Sequence, residues 1–174
     1  PRGIEMFTRK IAENFVMDAK VSPSGEQFLI NAVDAGGPYA NASIGFFDMM
    51  GNPFAAKIPE EDMLFPAIWY LDDDSVLAAS NSLIIYYDSE RNEKWRKEFG
   101  NVYSAGISSG KYIVAAAENE AGYSVLGSKS THISIFNVKG QEIASCDVDG
   151  QIKNIRQYSG LIAANAVREV FFIN

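Results

Sequence analysis

Carboxylates are the most chemically suggestive side chains of this 174-residue chain. Glu60-Glu61-Asp62 form one run and Glu118 and Glu120 a close pair. Gathered at one mouth, they would draw in a cation or a basic peptide, because a cleft lined by one sign of charge focuses the field. Calcium asks for six or more oxygen ligands. The nearest approach to a calcium loop, Asp147-Val148-Asp149-Gly150, lacks the third ligand and the closing Glu. Asp72-Asp73-Asp74 has the composition of a turn. His132 is the single histidine, which excludes metal sites built on two imidazoles, and the single cysteine, Cys146, has no partner for a disulfide or a zinc cluster. No GxSxG, P-loop, HExxH, CxxC or dinucleotide fingerprint occurs. The expectation is therefore no catalytic residue, no metal and no cofactor, with His132 and Cys146 in structural roles. The sequon Asn41-Ala42-Ser43 is short enough to arise by chance.

The charge balance narrows the partners. Twenty-two acidic against 15 basic residues give a net charge of -7, which argues against nucleic acid, since phosphate binding rests on clustered Lys and Arg. The one basic cluster, Arg91 to Lys97, is interrupted by Glu93 and followed by Glu98. The longest apolar run, Met63 to Leu71, contains Pro66 and is too short for a membrane span. The sequence opens on Pro1 without a charged-then-apolar leader, so any targeting segment is expected outside this stretch.

The elements that must position these residues declare themselves by repetition. Ile4 to Thr8, Ile44 to Asp48, Ile84 to Asp88, Ile133 to Asn137 and Val170 to Asn174 are β-rich, and four of the five close on Asp or Asn. They end at 8, 48, 88, 137 and 174, at steps of 40, 40, 49 and 37 residues, a period typical of propeller blades and solenoids. Before them lie turns and small-residue strands, such as Ser22 to Gly25 then Gln27 to Val33, and Ser108 to Gly110 then Tyr112 to Ala117. After them come Met50-Gly51-Asn52, Glu90-Arg91-Asn92 and Lys139-Gly140-Gln141, then strands in which apolar and polar residues alternate. One unit thus reads as four antiparallel strands, A (Val102 to Ile107), B (Tyr112 to Ala117), C (His132 to Asn137) and D (Glu142 to Val148). Helical periodicity is not sustained anywhere, which argues against an α/β chain.

These units resemble the blades of β-propellers of the WD40-like and quinoprotein-like group, on the strength of the C strand closing on Asp48, Asp88 or Asn137, the turn, and then Phe54, Trp95 or Ile143. The chain departs from both classes: no Trp-Asp pair closes strand C, and only Trp95 matches the serial tryptophan of quinoprotein blades. An uncharacterised bacterial family is the expected comparison. The implied fold is all-β, with about four four-stranded antiparallel blades in a partial or half ring. A single domain over 1–174 is expected, with C and D strands at 4–16 and blades at about 17–58, 63–99, 102–148 and, incomplete, 152–174. C strands outnumber A and B strands five to four, so the ring is unbalanced. Closure by a second copy, by strand exchange between the termini or by further chain would restore it.

In propellers the B–C and D–A connections share a rim where partners bind. Here the connections Asp34 to Ala42 and Glu118 to Ser130 read as long loops in alternate blades, whereas Ser80 to Ser82 is minimal. The candidate ligand-binding residues are Tyr39, Asn41, Glu60, Glu61, Asp62, Glu118, Asn119, Glu120, Tyr123 and Lys129, because function concentrates on loops held by a rigid scaffold. Trp69, Trp95, Tyr86 and Tyr87 are expected in the core between blades. The expected function is a non-catalytic scaffold for a protein or peptide, in an extracellular or envelope setting by analogy of fold. The alternative is the propeller portion of an enzyme, quinoprotein-like or hydrolase-associated, with catalytic residues outside this chain.

Overall fold

Three turns of identical chemistry set the architecture of the computed structural model. Asp48 Oδ1 accepts from the amides of Met50 and Asn52 at 2.9 and 2.8 Å. Asp88 Oδ1 accepts from Glu90 and Asn92 at 2.9 and 3.0 Å, and Asn137 Oδ1 from Lys139 and Gln141 at 2.9 and 3.0 Å. A short side-chain oxygen that satisfies two amides ahead of it is an Asx turn, which explains why the C strands close on Asp or Asn. The fourth turn residue must be left-handed: Gly51 has φ 81°, Gly140 75° and Arg91 65°. Arg91 therefore fills a glycine position.

The structure describes residues 14–34, 41–60, 63–108, 111–123, 129–158, 161–166 and 169–173, with Thr8 and Gly37. The first sheet comprises β1 (Asn14–Val21), β2 (Gln27–Asp34), β3 (Asn41–Asp48) and β4 (Pro53–Glu60). The second holds β5 (Ala67–Tyr70), β6 (Val76–Ala79), β7 (Leu83–Tyr87) and β8 (Glu93–Glu98). The third holds β9 (Val102–Ser108), β10 (Tyr112–Tyr123), β11 (Lys129–Asn137) and β12 (Glu142–Asp149), and the fourth β13 (Asn154–Tyr158), β14 (Leu161–Asn165) and β15 (Val170–Ile173). Each sheet is an antiparallel meander, and no helix occurs among the described residues. The all-β architecture of four blades in an open ring is as the sequence implies.

Two expectations need correction. Residues 14–16 belong to β1, the inner strand of the first sheet, and not to a preceding C–D pair; Phe15 and Val16 pair with Val33 and Ala32 and so extend the ladder. The connection Glu118 to Ser130 is largely strand: β10 runs to Tyr123, β11 starts at Lys129, and these two residues pair across a register shift. Polar residues read as loop because they lack alternation, yet the backbone keeps its ladder there. The expected C strand at 4–8 lies outside the described residues, apart from Thr8.

Register gives each sheet two faces. One face of the second sheet, carrying Ile68, Tyr70, Val76, Ala78, Ile85 and Tyr87, packs on Leu29, Ile44 and Phe46 of the first. Its other face, with Leu77, Ala79 and Ile84, packs on Ile113, Ala115 and Phe136 of the third, with Trp69, Tyr86 and Trp95 alongside. The third meets the fourth through Val114, Ala116 and Ile133 against Ile155, Ile162 and Ala164. Neighbouring sheets are thus joined by side chains, small residues on B strands making room for bulky ones on C strands. Trp69, Trp95, Tyr86 and Tyr87 lie in these seams, as expected.

Candidate binding rim and axial groove

The inner strands of all four sheets converge on one groove. Its volume is 660 Å³, and its lining includes Asp18 and Lys20 of β1, Ala67 and Trp69 of β5, Tyr103 to Ile107 of β9, and Asn154 to Arg156 of β13, with Ser80, Asn81 and Lys153 at the mouth. Lys20, Trp69, Gly106 and Arg156 occupy one and the same register position in their sheets, opposite Leu29, Leu77, Val114 and Ala163. Its lining reaches the B–C turn at Ser80 and Asn81 and the D–A connection before β13 at Lys153, on the rim expected to bind partners.

Charge in the groove is opposite to that of the chain. The carboxylate of Asp18 is consumed internally: Oδ1 accepts from Lys20 Nζ at 2.7 Å and from the Ala19 amide at 2.9 Å, and Oδ2 from the Ile68 amide at 3.2 Å. Lys153 Nζ donates to the neutral Gln151 Oε1 at 2.6 Å. Among the described residues no carboxylate pairs with Lys153 or Arg156, so the lining carries a surplus of positive charge.

Seven of the ten predicted residues are among those described, and these lie elsewhere. Asn41 is exposed and opens β3 opposite Asp34, and Glu60 closes β4 opposite Ala42, so these two share one end of the first sheet. Glu118 is half-buried opposite Thr131, with its amide donating to the Asn101 carbonyl at 2.8 Å. Asn119, Glu120 and Tyr123 continue β10, and Lys129 opens β11 opposite Tyr123. The first and third sheets hold these two groups apart, with the second between them. Tyr39, Glu61 and Asp62 lie outside the described residues. None of the ten lines the groove among the described residues.

The remaining chemical candidates are occupied structurally. His132 Nδ1 and Asp147 Oδ1 lie 2.6 Å apart. Cys146 is half-buried against the third seam; burial pushes its thiol up, and Asp147 adds to this, which disfavours the thiolate. Asp72 Oδ1 accepts from Asp74 and Ser75 amides, the turn role expected of it. Asp73 does more: its Oδ1 accepts from the Ser24 amide at 2.7 Å and its carbonyl from Gln27 Nε2, tying the A–B turns of adjacent sheets together.

Repeated four-stranded meanders, packed face to face around an axis, define a β-propeller arc. The chain belongs to the family of unknown function DUF5711, whose profile matches residues 2–174. No curated protein matches the sequence. Among solved structures it is similar to a eukaryotic initiation factor (14% identity, TM-score 0.63, covering 83% of this chain and 36% of that one). It is also similar to Chaetomium thermophilum Sqt1 bound to the N-terminus of the ribosomal protein L10 (13%, 0.58, 84% and 39%). A third likeness is to the Neurospora crassa Pan2 WD40 domain (11%, 0.52, 86% and 48%). The chain spans between about a third and a half of the length of these structures. At such identities the likeness shows the WD40-like fold.

Proposed function

We propose that this chain is a non-catalytic scaffold that binds a protein or peptide segment across the rim of the B–C and D–A connections, with the axial groove as the floor of the site. The observation that carries this reading is the groove itself: four inner strands contribute to one cavity of 660 Å³ whose unpaired charge is positive in a chain of net charge -7. A segment bearing an acidic side chain suits it, the charge-assisted bond to Arg156 giving orientation and Trp69 an apolar wall. The Sqt1 structure, with a ribosomal protein N-terminus bound, is a precedent of fold for a peptide partner.

A displayed peptide library selected on this chain tests the reading. Acidic sequences should be recovered, and their binding should be lost in Arg156→Glu and weakened in Trp69→Ala. Recovery of basic or uncharged peptides, or of binders indifferent to both substitutions, overturns it.

A further inference from the structure

We infer that the groove takes its peptide as an added strand along the inner edge of β9, main chain to main chain, with apolar and acidic side chains in alternation; this mode rests on the peptide-binding reading of the groove. The lining carries the argument. β1 contributes Asp18 and Lys20, and β5 contributes Ala67 and Trp69, alternate residues that present one side of each strand. β9 contributes every residue from Val102 to Ile107, and β13 every residue from Asn154 to Arg156. Successive side chains leave a strand in opposite directions, so an unbroken run lines one cavity where the strand turns its edge toward it.

Of these edges, that of β9 is the one suited to pairing. Among the described residues β9 ends the third sheet and pairs with β10 alone, and the groove leaves 660 Å³ in front of it. Edge strands are ordinarily blunted by charge, proline or brevity, and the other inner strands show such devices: Asp18 and Lys20 on β1, Arg156 on β13, and a length of four residues in β5. β9 has seven residues and neither charge nor proline. A bulge at Tyr103 sets off the regular stretch Ser104 to Ser108, in which Ser104, Ala105 and Gly106 are small enough for a second backbone to approach closely. The first residue of the strand is tied down, the Val102 amide donating to the Asn81 carbonyl at 2.6 Å, so the edge is set before a partner arrives.

The two sides of this edge differ in chemistry. Ala105 and Ile107 lie opposite Ala115 and Ile113 on the backward face of the third sheet, in the seam with the second sheet that includes Trp69. Ser104 and Gly106 lie opposite Ala116 and Val114 on the forward face, in the seam with the fourth sheet, whose inner strand and its approach bring Lys153 and Arg156 to the groove. In an added strand, residues opposite Ala105 and Ile107 share the Trp69 side, and those opposite Ser104 and Gly106 share the side of the two cations. The partner that fits is an extended segment of about five residues, one for each of Ser104 to Ser108, in which apolar residues alternate with aspartate or glutamate.

The test is the binding of a synthetic peptide alternating leucine and glutamate to the intact chain, followed by calorimetry. A strand added at an edge turns every second amide toward its neighbour. N-methylating the amides of one phase should therefore weaken binding about ten-fold or more, through lost main-chain hydrogen bonds, while N-methylating the other phase should leave it within about three-fold. Binding of the unmodified peptide should be lost in Arg156→Glu. Acidic peptides that depend on Arg156 yet respond equally to both phases, or to neither, overturn the inference and leave the proposed function standing. An unmodified alternating peptide that does not bind overturns the inference as well, and recovery of Arg156-dependent acidic sequences by display then decides the proposed function on its own.

Discussion

The seam between the first and second sheets and the seam between the second and third solve one geometric problem by opposite means. In both, the turn after strand C of one sheet lies against an aromatic residue on strand D of the sheet before it. In the later seam Gly140 sits under Trp95, whose Nε1 donates to the Val138 carbonyl at 3.0 Å, and a Cβ at Gly140 would stand 2.9 Å from the indole Cγ. In the earlier seam the same left-handed position is Arg91, with its guanidinium 4.7 Å from the centroid of Phe46 and 5.7 Å from that of Phe54. The earlier seam also buries polar groups. Asn31, fully buried, donates to the Phe65 carbonyl while its Oδ1 has no hydrogen-bond partner among the described residues, and the Tyr70 hydroxyl is likewise without one. The lesson is that a bare Cα closes a seam by contact, whereas a long cation closes it by covering two rings at the expense of backbone strain.

Gly140→Ala should break the comparison most severely. The left-handed backbone and the collision with Trp95 together should cost about 2–3 kcal/mol in denaturant unfolding. Trp95→Ala removes the obstacle, so the double variant should be more stable than the two single losses predict, by at least about 0.5 kcal/mol. Additivity would show that the indole does not set the glycine requirement.

Arg91 sharpens the contrast at the next level. Arg91→Gly relieves the strain but forfeits the ring contacts, effects of about 1 kcal/mol each, and should leave stability within about 1 kcal/mol of the parent. Arg91→Ala keeps the strain and loses the contacts, and should fall below Arg91→Gly by about 1 kcal/mol. If alanine matched glycine in a melting experiment, the left-handed conformation would carry no strain there.

Tyr70→Phe is expected to be neutral or stabilising by up to about 1 kcal/mol, because it removes a buried hydroxyl without a hydrogen-bond partner. Burial pushes the Tyr70 phenol up to about 12. The neutral form is thus favoured by folding, and its contribution is complete below the ordinary tyrosine value and lost as pH rises toward the folded one. The phenylalanine variant should lose less stability over that alkaline range, and an unchanged alkaline profile would refute the assignment.

The smallest effect distinguishes the turns themselves. Hydrogen bonds from Asn52 hold the Asp48 carboxyl below its usual value, and the Lys94 ammonium does the same for Asp88. Their stabilisation is present above the ordinary carboxylate value and is lost as pH falls through the lowered one. Asn137 performs the same turn without a charge. A carboxyl titration by NMR should show Asp48 and Asp88 below free aspartate, and Asp48→Asn with Asp88→Asn should flatten the acid limb of stability.

Much of this fold was legible because its turns are chemical. An Asx residue followed at fixed offset by glycine and an amide residue fixes where strand C stops and strand D starts, and β-branched runs fill in the rest. Arg91 was illegible as a left-handed residue, since it is aligned with glycines by position alone. The hairpin of β10 and β11 was missed because its polar residues mimic a loop. The groove escaped for a different reason: Lys20, Trp69, Gly106 and Arg156 share no residue type, and only closure of the arc brings one row of four strands together. The signal that marks them is the register of the A strands, which, like the C strands, align position by position.

Each of the first three sheets holds a complete four-stranded ladder, and every described seam joins a forward face to a backward face. A cut between Phe99 and Val102, in the short connection from β8 to β9, severs no ladder within a sheet. Whole units of some forty residues are therefore interchangeable modules: inserting one there, or excising one, re-creates a seam of the same polarity. Such a chain can change length by tandem duplication while preserving its local folding rules, and what alters is the curvature and bore of the axis that the inner strands enclose.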